Sequence, residues 1–267
     1  MEILGYIGAI VMGLSLGLIG GGGSILTVPI LVYLFSVDTV LATAYSLFIV
    51  GLTALIGSFS HMRLGNIHWL TALVFGIPSI LAVFATRAWL VPAIPDALFS
   101  IAGVAVSKSL GILILFALLM VAAAYSMIRK QGSSSAKTEG EVKFNYPLIL
   151  AEGAVVGTIT GLVGAGGGFL IIPALVLLAK LPMKQAVGTS LIIIAAKSLI
   201  GFTGDLRGDE LIDWNFLLLF SGIAIGGILV GSLLSRRIPN EKLKPAFGWF
   251  VLVMGLYIIG RELSNMS

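Results

Sequence analysis

Eight apolar stretches run along the chain, separated by short polar connections. Six of them, approximately 40 to 60, 67 to 87, 109 to 128, 184 to 203, 214 to 235 and 245 to 261, have the length of one helical crossing. About 20 residues at about 1.5 Å rise each span a hydrocarbon core of about 30 Å. The other two, 3 to 36 and 147 to 179, are too long for that; a straight helix over 3 to 36 would measure about 51 Å. Both are interrupted by glycines, in LIGGGGSILTVPIL at Leu18 to Leu31 and LVGAGGGFLIIPAL at Leu162 to Leu175. Each long stretch is therefore predicted to break at its glycines.

The two breaks belong to an internal repeat. A shift of 144 residues brings Gly13, Gly17, Gly20, Gly22, Gly23 and Pro29 onto Gly157, Gly161, Gly164, Gly166, Gly167 and Pro173. The same frame pairs Ala42 with Ala186, Ser46 with Ser190 and Leu47 with Leu191. Duplicated halves of this kind are a recurring plan in secondary transporters.

Composition agrees with a membrane protein: 58% hydrophobic, 10% charged and a mean hydropathy of +1.10, against roughly 25% charged in a soluble domain. The net charge of +4 reads as loop cations rather than a nucleic-acid partner. The chain has no cysteine and only two histidines, His61 and His68, which excludes thiolate chemistry and a multi-histidine metal site. No cofactor is expected. His61 and His68 border a turn, where ordinary exposure would account for both.

Loop charges choose the topology. If each broken stretch crosses once, the fourteen loop cations divide seven (Arg63, Arg129, Lys130, Lys137, Lys143, Arg207, Arg261) against seven (Arg87, Lys180, Lys184, Arg236, Arg237, Lys242, Lys244). If each is a re-entrant hairpin, only Arg87, Arg207 and Arg261 fall on one side and eleven on the other, a clear positive-inside bias. The expected fold is an all-α integral membrane protein of two inverted repeats, each a re-entrant glycine-tipped helical hairpin plus three transmembrane helices. The repeats are expected at 1–129 and 147–267, joined by a cytoplasmic linker at 130–146 that contains GSSSAKTEGE. Both termini would lie outside the cytoplasm.

Bare backbone near the midplane is tolerated only inside protein or beside a wet cavity. The returning arms would begin as helices at the tips, with free N–H groups and positive dipole ends aimed at a cavity between them. Two opposed helix N-termini suit a small anion, and glycine permits both close approach and positive φ. The candidate substrate-binding residues are Gly21, Gly22, Gly23, Ser24, Gly166, Gly167, Gly168, Ser46, Thr189, Ser190 and Lys197. Ser24 could bind ligand or cap its helix, whereas Thr27 is expected to bond back within its helix. Lys197, a cation deep in a span, needs a wet cavity, an anion or a partner such as Asp205. Lys108 marks the outer end of its span. Glu152 is a candidate proton carrier, with interfacial solvation the simpler role, and Asp205, Arg207, Asp209, Glu210 and Asp213 read as a solvated outer connection. Gly13, Gly17, Gly157 and Gly161 are better explained as packing residues.

The glycines do not form a phosphate loop, because GAGGG lacks the terminal Gly-Lys-Ser/Thr. A serine hydrolase built on Ser24 would need a histidine from about 15 Å away, so no enzyme is expected. With its two glycine-proline signatures and the VGTSL stretch at Val187 to Leu191, the sequence resembles the sulfite exporter TauE/SafE family of membrane transporters along essentially its whole length. The resemblance implies transport of sulfite, sulfoacetate or other organosulfonates across the bacterial inner membrane; the expected protein is a secondary transporter working in the export direction. A proton or sodium ion is the candidate coupling partner, and no oligomeric state is implied. The first half carries ATAYSL at Ala42 to Leu47 in place of VGTSL, so the halves should contribute unequally to the site. An anion channel, or an uptake permease for another small oxyanion, is the alternative.

Overall fold

The computed structural model describes residues 2–21, 23–101, 104–128, 146–164, 166–177, 179–206, 212–235 and 240–266. Both long apolar stretches break at their glycines. In the first, α1 (Glu2–Ile19) stops at Gly20 and α2 (Gly23–Leu34) follows; in the second, α7 (Tyr146–Val163) stops at Gly164 and α8 (Gly168–Leu177) follows. Gly20 and Gly164 take φ of +79° and +70°, angles that strain any residue with a Cβ and end a right-handed helix. The returning arms, 12 and 10 residues long, reach only about 18 and 15 Å, well short of a bilayer core. The first stretch folds back on itself: Gly8 packs against Ile30 and Gly5 against Phe35, so α1 and α2 run antiparallel.

The expected spans are helices. They are α3 (Thr39–Arg63), α4 (Trp69–Ala85), α6 (Lys108–Ile128), α9 (Met183–Asp205), α10 (Trp214–Ser235) and α11 (Asn240–Met266). Asp38 starts α3 by accepting the N–H groups of Val40 and Leu41 at 2.8 and 3.3 Å, the usual remedy for unpaired first-turn donors. Five helical runs, 39–63, 69–93, 108–125, 183–205 and 214–235, are long and apolar enough to cross a membrane. The sixth expected span lies within α11. The chain is thus an all-α, multi-pass membrane protein.

Two features depart from expectation. The span through 87 does not end there: α4 continues through a π-helical turn (Thr86–Leu90) into α5 (Val91–Ala93). The connection to α6 holds a small antiparallel hairpin, β1 (Ala97–Ile101) with β2 (Val104–Ser107), outside the helical frame. Strand pairing satisfies the backbone groups of the paired residues. The expected linker, 130–146, lies outside the described residues except for Tyr146, which begins α7.

Helices α3 and α9 are the most enclosed, with 67% and 72% of their apolar windows buried against 33–44% for the other three runs. They pack directly on each other, Leu47 near Gly201, Gly51 near Leu199 and Gly57 near Leu191. Rising numbers on one meet falling numbers on the other, so these repeat mates run antiparallel. Each hairpin packs against the opposite half. Gly13 and Gly17 of α1 lie against Ala224 and Ile228 of α10, while Gly157 and Gly161 of α7 lie against Ser79 and Thr86. A methyl group at Gly13 would strike the Ala224 carbonyl and one at Gly157 the Ser79 carbonyl, the close backbone approach that small residues permit between membrane helices. The remaining pair, α6 and α11, closes the bundle around the breaks, with Phe116 set edge-on to Phe169 at 6.2 Å.

Candidate functional site

The two breaks touch each other. A methyl group on Gly21 would meet the Gly168 backbone, and one on Gly166 would meet Ser24. The cavity expected between the tips is therefore filled at this point by backbone against backbone. Gly22 lies outside the described residues. Both breaks are enclosed by α3 and α9 in a reciprocal way: Gly20 packs on Val187 and Gly164 on Thr43. Shifting 20 and 43 by 144 gives 164 and 187, so the two contacts are repeat mates.

Around the first break the polar groups are mostly paired. The Ser24 hydroxyl donates to the Gly21 carbonyl at 2.8 Å, and Ser190 donates to the Val187 carbonyl at 2.8 Å and to Gly20 at 3.2 Å. Thr27 bonds back to Gly23 at 3.3 Å. Gly23 begins α2 against Met12 and Leu16. Ser46 is fully buried, and its hydroxyl has no partner among the described residues. Thr189 points elsewhere: its hydroxyl accepts the His68 N–H at 2.9 Å, which ties α9 to the start of α4.

The second break carries charge. Gly166 and Gly167 adopt φ of +62° and +72°, a kink that leaves the N–H groups ahead of Leu170 outside the intrahelical ladder at the start of α8. Lys197 is fully buried, and its ammonium donates to the Thr160 hydroxyl at 2.7 Å. The same nitrogen lies 2.6 Å from where a Cβ on Gly167 would stand, so only glycine leaves room for it. Among the described residues no carboxylate pairs with Lys197. A buried ammonium with a single neutral partner costs several kcal/mol unless an anion joins it.

The alternative partner for Lys197, Asp205, is engaged elsewhere. Arg87, expected as an outer loop charge, is 1% exposed on the π-helical turn. Its Nε donates to both Asp205 oxygens at 2.8 and 2.9 Å, and Nη1 donates to Thr43 at 2.9 Å and to the Gly161 carbonyl at 3.3 Å. Asp205 is thus paired with a buried guanidinium and itself partly buried, rather than part of a solvated loop; 207–211 lie outside the described residues. Arg87 sits on the π-helical turn with its side chain among α3, α7 and α9, whose Thr43, Gly161 and Asp205 it contacts. Sequence reasoning missed Arg87, Thr43 and Thr160. The signal for Arg87 was present, because the apolar run continues past it to Ile94 and makes it the one charge between Trp69 and Ile94.

Two cavities lie at opposite ends of α9. One, about 380 Å³, is lined by Val40, Arg87, Val91, Lys108 and Asp205; the other, about 310 Å³, by His61, Asn66, Lys184, Val187 and Ser235. The 144-residue shift turns Val40, His61 and Val91 into Lys184, Asp205 and Ser235, so the cavities are repeat mates. His61 is buried, at 7% exposure, and lines the second cavity rather than standing in solvent. His68 caps α4, its Nδ1 accepting the Thr71 N–H at 3.3 Å.

The model of the family described as "Sulfite exporter TauE/SafE" matches residues 6–258. A protein of Xylella fastidiosa named "Probable membrane transporter protein" is 30% identical over 261 residues, covering 96% of this chain and 94% of its own. Probable membrane transporter proteins MJ0441 of Methanocaldococcus jannaschii and YunE of Bacillus subtilis are 27% and 26% identical, over 94% and 96% of this chain and 94% and 98% of theirs. No solved structure shows a significant match. The chain belongs to the sulfite exporter TauE/SafE family and is a multi-pass membrane transporter.

Proposed function

From that membership, we propose that the chain is a secondary transporter of small sulfur-containing anions, sulfite, sulfoacetate or other organosulfonates, working as an exporter. The observation that carries the reading is Lys197, a buried ammonium beside the positive-φ glycines of the second break with no carboxylate against it among the described residues. The ammonium lies beside Gly167, next to the start of α8, and an oxyanion presents several acceptors to an ammonium and helix-start N–H groups together. The antiparallel packing of α3 and α9, with repeat-related cavities at their two ends, supports inverted halves that open alternately on either side of the breaks. Gly21, Gly23 and Ser24 supply the wall opposite.

The test is a thermal-shift titration of detergent-solubilised protein with sulfite, sulfate, thiosulfate, sulfoacetate, taurine and aromatic sulfonates. An anion at 100 times its Kd should add about 2.7 kcal/mol. Stabilisation by none of them would overturn the reading. In proteoliposomes, uptake should saturate with substrate; linear, gradient-independent flux would mark a channel instead. A reporter after Ser267 should be active in the periplasm and one between Gly132 and Ala136 in the cytoplasm, and a cytoplasmic C-terminus would overturn the inverted topology.

A further inference from the structure

The second break is flanked by two buried cations, and the transport reading uses only Lys197. Arg87 is as enclosed as Lys197, yet it also lines the 380 Å³ cavity at the C-terminal end of α9. Its donors are incompletely used. Nε and Nη1 are hydrogen-bonded, whereas Nη2 reaches Asp205 Oδ1 at 2.6 Å as an ion pair but has no aligned hydrogen bond. A buried donor in that condition needs an explanation. Its other contacts lead to the break, since Gly161 lies in the last turn of α7 and Thr43 is the residue on which Gly164 packs.

We infer that Arg87 is an anion-binding station on the path to Lys197, and that Asp205 is the resident anion which substrate displaces. This rests on the transport reading above. A planar guanidinium binds two acceptors of an oxyanion as readily as a carboxylate, so an entering sulfonate or sulfite group competes with Asp205 for the same fork. Lys108, which also lines the cavity, adds attraction at the same end. The carboxylate keeps Arg87 neutralised while the cavity is empty, and its displacement frees the contact that links Asp205 at the end of α9 to Thr43 and Gly161. The repeat mate of Arg87 is Gly231, and among the described residues the opposite cavity is lined by Lys184 and His61 rather than by a guanidinium paired with a carboxylate.

The test uses sulfoacetate, titrated by thermal shift against wild type, Asp205→Asn and the double variant Arg87→Gln with Asp205→Asn. Freed of its competitor, Asp205→Asn should bind sulfoacetate about 10-fold more tightly than wild type and be less stable without it; the double variant should lose that gain. Equal or weaker binding by Asp205→Asn overturns the inference. If Lys197→Met also abolishes wild-type binding in the same titration, the transport reading stands and only the Arg87 station falls; if sulfoacetate and the wider anion panel stabilise neither protein, both fall. Should Asp205→Asn fail to fold, alkylation of Val40→Cys, which lines the cavity of this otherwise cysteine-free chain, decides the matter. Sulfoacetate should slow labelling several-fold in the wild-type background and not in the double variant. Equal protection in both overturns the inference.

Discussion

The two glycine breaks match at a shift of 144 residues and are chemically different. Shifting by 144 residues turns Lys197 into Thr53, Thr160 into Leu16 and Arg87 into Gly231. Around the second break these positions hold an ammonium, its hydroxyl partner and a guanidinium. Around the first they hold a hydroxyl bonded to its own helix, Thr53 to Ile49 at 2.6 Å, an aliphatic side chain and no side chain. The backbones differ as well: Gly164, Gly166 and Gly167 all have positive φ, whereas only Gly20 does among the described residues of the first break. Two helix starts meet at the breaks, and the buried cations stand at only one of them among the described residues. Each buried cation carries a desolvation cost, so under the proposed function one charged wall is enough for one anion.

The largest expected effect comes from filling the charged break. In Gly167→Val the branched side chain would collide with Thr160 and Lys197 at a φ of +72°, so anion stabilisation in a thermal-shift assay should vanish. A left-handed non-glycine residue alone costs about 1–2 kcal/mol, and the collision adds to it. Gly222, with nothing within 4 Å, is the control, and Gly222→Ala should leave both folding and binding intact. Equal loss of folded protein in the two variants would mean that neither break is special.

Next comes the charge itself. Lys197→Met keeps length and removes the ammonium, so affinity should fall by about 1.5 to 3 kcal/mol, roughly 10- to 150-fold. Thr53→Val, its repeat mate, should leave affinity unchanged. Lys197→Arg should rescue only in part, because a planar fork presents its donors differently. Similar losses from Lys197→Met and Thr53→Val would show that the breaks share the anion equally.

Two hydroxyls give smaller effects. Thr160→Val removes the Lys197 partner at 2.7 Å and should weaken binding by about 1 kcal/mol, roughly 5-fold. Ser190→Ala removes the bonds to Gly20 and Val187 and should lower thermal stability by about 0.5–1.5 kcal/mol, with affinity nearly unchanged. If Ser190→Ala cost more affinity than Thr160→Val, the first break would be the principal wall.

Much of this architecture was legible in the chain. Hydropathy located the helices because bilayer thickness fixes their length, the glycines located the breaks because their φ strains any residue with a Cβ, and matches at a 144-residue shift displayed the likeness of the two halves. The glycines at 13, 17, 157 and 161 could be assigned to packing from spacing alone. What only the tertiary structure decided was which charges face each other. Arg87 and Asp205 lie 118 residues apart, and Lys197 meets Thr160 across 37. Such pairings depend on helix crossing and rotation, here including a single π turn, and neither leaves a period in the sequence. Hydropathy is a sum over a segment and so survives without tertiary detail, whereas a salt bridge depends on two side chains approaching within about 4 Å, and that is set by the packing of the whole bundle.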